Sequence, residues 1–196
     1  MERTADAAQS TRDAILDRSV DLASVEGLEG LTIGRLATEL EMSKSGLFRH
    51  FGSKQELQLA TIERATAVLE REVIAPAAAA EPGLARLRAL IEGYLSYLER
   101  DVLPGGCFLT AAGFEFDGRP GPVRDAVAAA SRDWREALER EAERARDRGE
   151  LPADTDPAQL VFELGSYATR ANAVYQLYGD RGAFARARAA ITRSLG

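Results

Sequence analysis

Lys44-Ser45-Gly46-Leu47-Phe48-Arg49-His50-Phe51-Gly52-Ser53-Lys54 contains both lysines of the chain and its single histidine. Every other basic residue is arginine. At helical spacing Leu47 and Phe51 share one face, and Lys44, Ser45, Phe48 and Arg49 are left pointing outward. Ser43 is placed to cap the start of this helix, and Gly52-Ser53 ends it. Upstream, the Thr32 hydroxyl can cap another short helix, whose buried stripe is Ile33, Leu36, Ala37 and Leu40. Glu41-Met42 makes the turn between the two. Two short amphipathic helices, a tight turn and a free polar face on the second helix satisfy the demands of a helix-turn-helix.

The chemistry of that face suits DNA. The N-terminus of the second helix carries unpaired N–H groups and a partial positive charge, which favour a phosphate. Lys44 and Arg49 add formal charge. Arginine can read guanine bidentately, whereas lysine acts more as a point charge. Gly46 has no side chain and allows close backbone approach. Lys54 opens the next helix, where it opposes the helix dipole, a placement that a DNA phosphate opposite it would explain.

The segment Leu31-Thr32-Ile33-Gly34-Arg35-Leu36-Ala37-Thr38-Glu39-Leu40-Glu41-Met42-Ser43, continued through the window above to Gln55-Glu56-Leu57, resembles the TetR family of bacterial repressors nearly position by position. The strong match covers residues 11–60. Pro104-Gly-Gly-Cys-Phe-Leu and Phe116-Asp-Gly-Arg-Pro-Gly-Pro-Val-Arg-Asp look like one branch of the family's regulatory domains. The resemblance implies that Thr32 and Arg35 touch phosphates from one helix. It implies that Ser43, Lys44, Ser45 and Gly46 line the reading edge, with Phe48 and Arg49 at bases or nearby backbone and His50 and Lys54 at phosphates. Phe48 stands where the family usually has tyrosine; it lacks that hydroxyl and keeps apolar contact with a thymine methyl. Glu41 stands where the family often has a small residue.

Composition sets the remaining bounds. The 196 residues suffice for one large domain, or for a small domain fused to a medium one. Hydrophobic residues make up 45% and charged residues 29%, as in soluble globular proteins. No apolar run approaches the roughly 20 residues of a membrane span, and no secretory h-region is visible, so no membrane partner and a cytoplasmic location are expected. One cysteine excludes an internal disulfide, and one cysteine with one histidine cannot build a Cys/His zinc site. The net charge of −6 argues against a general polyanion binder but leaves a local basic patch possible. No phosphate-binding glycine loop or nucleophile elbow is present, and Glu115 and Asp117 read as a solvated helix end. No metal site, catalytic residue or cofactor is expected.

The periodicity predicts nine helices and no sheet, an all-α fold. Residues 1–10 read as a polar, frayed end, and an amphipathic helix with Ile15, Ser19, Leu22 and Ala23 on one face starts at Thr11. Residues 1–54 are read as the DNA-binding domain and 55–196 as a helical ligand-sensing and dimerisation domain. The fourth helix is expected to run from Lys54 to Ala77–Ala80, and the fifth to bury Leu87, Leu90, Ile91, Tyr94, Leu95 and Leu98. Tyr94, Tyr97, Phe108, Phe114, Trp134, Phe162 and Tyr167 are the candidates for a pocket taking a small, largely apolar effector, with Trp134 favoured for its indole N–H. Cys107, at a helix start, is a candidate redox sensor set against the commoner inert buried thiol. Family members pair their last two helices with a symmetry mate. The corresponding seam here is Leu160, Leu164, Ala168, Ala171 and Tyr175 with Phe184, Ala187 and Ile191. The expected protein is a homodimeric repressor on a pseudo-palindromic, double-stranded operator. A helical ligand-binding or adaptor protein without operator binding is the alternative.

Overall fold

The computed structural model describes the backbone of residues 2–196 and the side chains from Ser10 onward. The described residues form nine helices and no strand: α1 (Glu2–Glu26), α2 (Ile33–Glu39), α3 (Lys44–Phe51), α4, α5 (Leu84–Glu99), α6 (Phe108–Phe116), α7 (Pro122–Asp147), α8 (Pro157–Tyr178) and α9 (Gly182–Ser194). Helix α4 runs through Lys54–Leu69, passes a π-helical turn at Glu70–Ile74 and finishes with Ala75–Ala77. The π turn has a covalent cause. Pro76 supplies no N–H and its ring crowds the carbonyl four residues earlier, so the helix widens there rather than breaking. Helix α1 starts at Glu2 rather than Thr11.

The chain packs as two compact units. The first comprises the chain up to Ala67 together with Leu103–Ala130, and the second comprises Val68–Val102 with Ser131–Gly196. The packing therefore divides elsewhere than at residue 54, and α6 belongs with the helix-turn-helix.

In the first unit Ile15, Ser19, Leu22 and Ala23 are all buried on one face of α1, and Leu36, Leu47, Phe51 and Leu57 of the following helices are buried too. Ser19 is tolerated there because its hydroxyl donates to the Ile15 carbonyl at 2.8 Å. The loop before α6 lies against the end of α1. The Gly105 N–H donates to Ser24 Oγ at 3.0 Å, and a Cβ on Gly105 would stand 1.8 Å from the Ser24 carbonyl oxygen. Only glycine permits that approach.

In the second unit α5 buries the stripe read from its periodicity, Leu87, Leu90, Ile91, Tyr94, Leu95 and Leu98. Its N-terminus is closed by two carboxylates. Glu141, itself buried, accepts the Gly83 N–H at 2.8 Å, and Glu150 accepts the Leu84 N–H at 2.7 Å. Asp156 caps α8 through the N–H groups of Ala158 and Gln159, with Pro157 in the first helical position. Helices α8 and α9 then fold back on each other about Gly179, whose φ is 69°.

Replacing Gly105 with Ala should lower the free energy of unfolding by about 2–3 kcal/mol, the size of an overpacking penalty. Urea denaturation would check it. A change within experimental error would show that α1 and the 103–106 loop part easily.

Candidate nucleic-acid interface

Local hydrogen bonding fixes the geometry of α2 and α3. Thr32 Oγ1 accepts the Arg35 N–H at 3.0 Å, and Ser43 Oγ accepts the Gly46 N–H at 3.1 Å. Between them α2 ends in a Schellman turn. The Met42 N–H returns to the Ala37 carbonyl at 3.0 Å, and the Glu41 N–H to the Thr38 carbonyl at 3.4 Å. This places Glu41 at φ 53°, in the left-handed region that favours glycine. Gly46 also serves the cap, since a Cβ there would stand 3.0 Å from Ser43 Oγ.

The outward face of α3 matches its sequence reading. Leu47 and Phe51 are buried, while Lys44, Ser45, Phe48 and Arg49 are exposed. Phe48 leaves 55% of its surface open, an unusual position for a large apolar side chain outside an interface. Lys44 and Arg49 have no ion-pair or hydrogen-bond partner among the described residues. The carbonyl of His50 accepts from Arg12 Nη1 at 2.9 Å, and the Arg12 guanidinium lies 4.6 Å from the Phe51 ring centre. The His50 ring is half-buried and tilted against Phe51.

Arg35 and Lys54 differ from this pattern. Arg35 donates to Glu26 at 2.6 Å and to Glu39 at 2.8 Å, and Glu39 is shared with Arg18. The hydrogen bonds from Arg18 and Arg35 hold the Glu39 carboxyl below the usual range, so it stays ionised. Lys54 Nζ lies 2.7 Å from Glu29, whose carboxyl is lowered mainly by that hydrogen bond. Neither cation is free in the way the sequence suggested.

Sequence reasoning missed the part played by Glu115. Its carboxylate accepts the Leu28 N–H at 2.7 Å and the Glu29 N–H at 3.1 Å. It thus holds the loop between α1 and α2 and is not a solvated helix end. Gln58 Nε2 secures the same loop by donating to the Leu28 carbonyl at 2.8 Å. A glutamate on an amphipathic helix gives no hint of amides 87 residues away.

The pocket candidates fall in both units. In the second unit Tyr94 packs on Tyr97 and on Trp134, with centroids 6.2 and 5.5 Å apart, and Trp134 is half-buried. Phe108 is buried in the first unit. Phe114 and Phe162 are 72% and 71% exposed, so they form surface and not pocket wall. Tyr167 lines a groove between α8 and α9, together with Arg170, Val174, Arg186 and Ala190. Cys107 is buried and caps α6, its Sγ accepting the Thr110 N–H at 3.4 Å. That is a structural thiol without the access a redox sensor needs.

The predicted seam also changes meaning. Leu160, Leu164, Ala168, Ala171, Phe184, Ala187 and Ile191 are already buried within one protomer. Tyr175 packs on Phe184 and donates its hydroxyl to Asp101 at 2.7 Å. These residues join α8 to α9 and to α5, and Ala171 and Ala187 also line the open groove between α8 and α9.

Residues 15–61 match the family profile described as bacterial regulatory proteins, tetR family. Residues 83–191 match the profile described as tetracyclin repressor-like, C-terminal domain. A TetR transcriptional regulator from Chloroflexus aurantiacus J-10-FL is 25% identical with a TM-score of 0.84, over 97% of this chain and 94% of that one. A TetR-family regulator from Agrobacterium tumefaciens is 20% identical with a TM-score of 0.82, over 95% and 98%. AibR, solved in complex with isovaleryl coenzyme A and operator DNA, is 20% identical with a TM-score of 0.67, over 85% and 86%. The last two show the fold alone. No curated protein matches the sequence significantly.

Glu41→Gly should raise stability by about 0.5–1 kcal/mol, because it relieves a left-handed non-glycine residue while adding unfolded-state entropy. It also removes an exposed negative charge from the turn between the two helices, so DNA affinity should rise. Thermal melts and DNA titrations would measure the two effects. Lower stability would show that the Glu41 side chain holds the turn.

Proposed function

This chain belongs to the TetR family of bacterial regulatory proteins, and we propose that it is a homodimeric transcriptional repressor released from its operator by a small effector. The observation that carries the DNA-binding part is the outward face of α3. It holds two uncompensated cations, Lys44 and Arg49, beside an exposed Phe48 and a capped helix N-terminus. A face built only for packing would bury its phenylalanine and pair its cations. Lys44 and Ser45 stand over base edges, Arg49 meets a base or adjacent phosphate, and Phe48 meets a thymine methyl.

Several observations support the remaining parts. AibR shares this fold and was solved with both operator DNA and an acyl-coenzyme A. The buried Tyr94 and Tyr97 pack beside the half-buried Trp134, which of the three has the most surface to offer a largely apolar effector. An effector would act by favouring a conformation with the wrong distance between paired recognition helices. Among the described residues no helix is long and apolar enough to cross a membrane, and no cluster of His, Cys, Asp and Glu is placed to hold a metal ion.

A dimer has its own motive, since one short recognition helix reads too few base pairs to select an operator. The face available for it is the outer side of α8. Phe162, Ser166, Thr169, Ala173 and Leu177 follow one another at helical spacing, and Phe162 and Leu177 are each more than 70% exposed. The groove lined by Tyr167, Val174 and Ala190 adjoins α8 and gives a second helix somewhere to lie.

Fluorescence anisotropy with duplexes from the DNA flanking the gene tests the reading. Sequence-specific binding that weakens with salt is expected, and its absence would favour a helical ligand-binding protein instead. Lys44→Ala should cost operator affinity by roughly 1–3 kcal/mol if the contact is to a base edge.

Sedimentation tests the dimer face. Phe162→Glu or Leu177→Glu should give folded monomers that lose operator binding. Leu164→Glu, by contrast, puts a charge in the protomer core and should unfold the chain. A folded Leu164→Glu monomer would return the seam to the inner face of α8.

A further inference from the structure

Given the DNA-binding reading above, we propose that Glu29, with Glu26 and Glu39, sets how weakly the interface binds DNA that is not operator, by holding Lys54 and Arg35 in internal ion pairs. Both cations stand in the helix-turn-helix region, yet each already has an anion. Lys54 Nζ is 2.7 Å from Glu29, and Arg35 is 2.6 Å from Glu26 and 2.8 Å from Glu39. Only Lys44 and Arg49, on α3 itself, are left uncompensated among these four.

The carboxylates are anchored. The Glu29 N–H donates to Glu115 at 3.1 Å, Gln58 Nε2 reaches Glu29 at 3.5 Å, and Arg119 stands 3.9 Å away on the other side. Glu39 is fixed by Arg18 as well as by Arg35. Glu29 and Glu39 thus have partners besides the cations they mask, and a DNA phosphate must compete with an anion already in place. A phosphate that takes Lys54 must displace one anion from it, and the displaced carboxylate then stands within about a Debye length, 8–10 Å, of the phosphate. Replacing one anion with another gains little, and the like charges oppose it.

The consequence falls unequally on different DNA. Binding to arbitrary sequence rests almost entirely on phosphate contacts and on the counterions they release. Masking Lys54 and Arg35 removes such contacts and confines attraction to α3. Operator binding has base contacts from α3 in addition, so it tolerates the mask better. Exposed ion pairs of this type add little to stability, so their main effect is on the charge the interface presents.

The test uses the full-length homodimer, a random-sequence duplex and a duplex from the DNA flanking the gene, titrated across a salt series. Glu29→Gln should bind the random duplex about threefold to fivefold tighter at low salt for each Lys54 it unmasks, the size of one exposed ion pair, with the log–log salt slope steeper by about 0.9 per protomer, or about 1.8 where both protomers of the dimer reach a phosphate. Adding Lys54→Ala to that variant should cancel the gain. Glu26→Gln should act in the same direction through Arg35, which keeps the proposal open to test if Glu29→Gln folds poorly. Unchanged or weaker random-duplex binding in the folded variants would overturn it, because the carboxylates would then be idle or would orient the cations toward DNA. A parent protein that binds neither duplex would instead overturn the DNA-binding reading itself.

Discussion

Where α1 stops, the N–H groups of Leu28 and Glu29 have no helical acceptor, and the carboxylate of Glu115 takes both. An unpaired donor shielded from water costs about 1–3 kcal/mol, and the part-buried Leu28 N–H avoids much of that cost through Glu115, while the exposed Glu29 bond adds direction to the loop. Much follows from that anchor. Gly27 must be glycine, because its φ is 84° and a Cβ would stand 2.9 Å from Glu115 Oε1. The Leu28 carbonyl is turned toward Gln58, which ties the loop to α4. The Glu29 side chain is directed to Lys54 at the start of α4. The loop that leads into the reading helices is thus held by a residue of α6.

Charge on the interface is arranged more than accumulated. The chain carries a net charge of −6, and its reading face is not a broad basic patch. Arg18, Arg35, Glu26 and Glu39 form one network, and Lys54, Glu29 and Arg119 another. Most are substantially exposed, with Glu39 partly covered, so their contribution to folding is small. Their effect is positional: of the four cations Arg35, Lys44, Arg49 and Lys54, they leave only Lys44 and Arg49 without an ion-pair partner.

Features written in local sequence were legible. The Thr32, Ser43 and Asp156 caps each need only a short polar side chain just before a periodic run, and all three form as read. The wide stripe of α5 could be buried in only one way. What stayed hidden depends on distant partners or on competing local signals. Glu115 and Glu141 look like ordinary surface acids until the fold brings backbone amides to them. Pro76 was visible, but an alanine-rich surround hid the π turn it causes. Phe114 and Phe162 were grouped with Tyr94 and Trp134 by residue type, and residue type does not say which side of a helix is inside.

Helix α8 shows the last limit most clearly. Along its 22 residues, small and apolar side chains recur on two faces. One set, Leu160, Leu164, Ala168 and Ala171, repeats at 4, 4 and 3, and the other, Phe162, Ser166, Thr169, Ala173 and Leu177, at 4, 3, 4 and 4. Both repeats fit a 3.6-residue period, so periodicity cannot rank them. Packing can, because α9 and α5 supply apolar partners to the first set and leave the second uncovered. A helix with two such faces is what a protomer needs if one face completes its own core and the other meets a second copy. On the dimer face proposed above, Phe162 and Leu177 would leave water on pairing, and burying their apolar area would be favourable at about 25 cal/mol per Å². Dimerisation of this kind adds surface burial without asking the core to rearrange, which leaves the fold of each protomer independent of its partner.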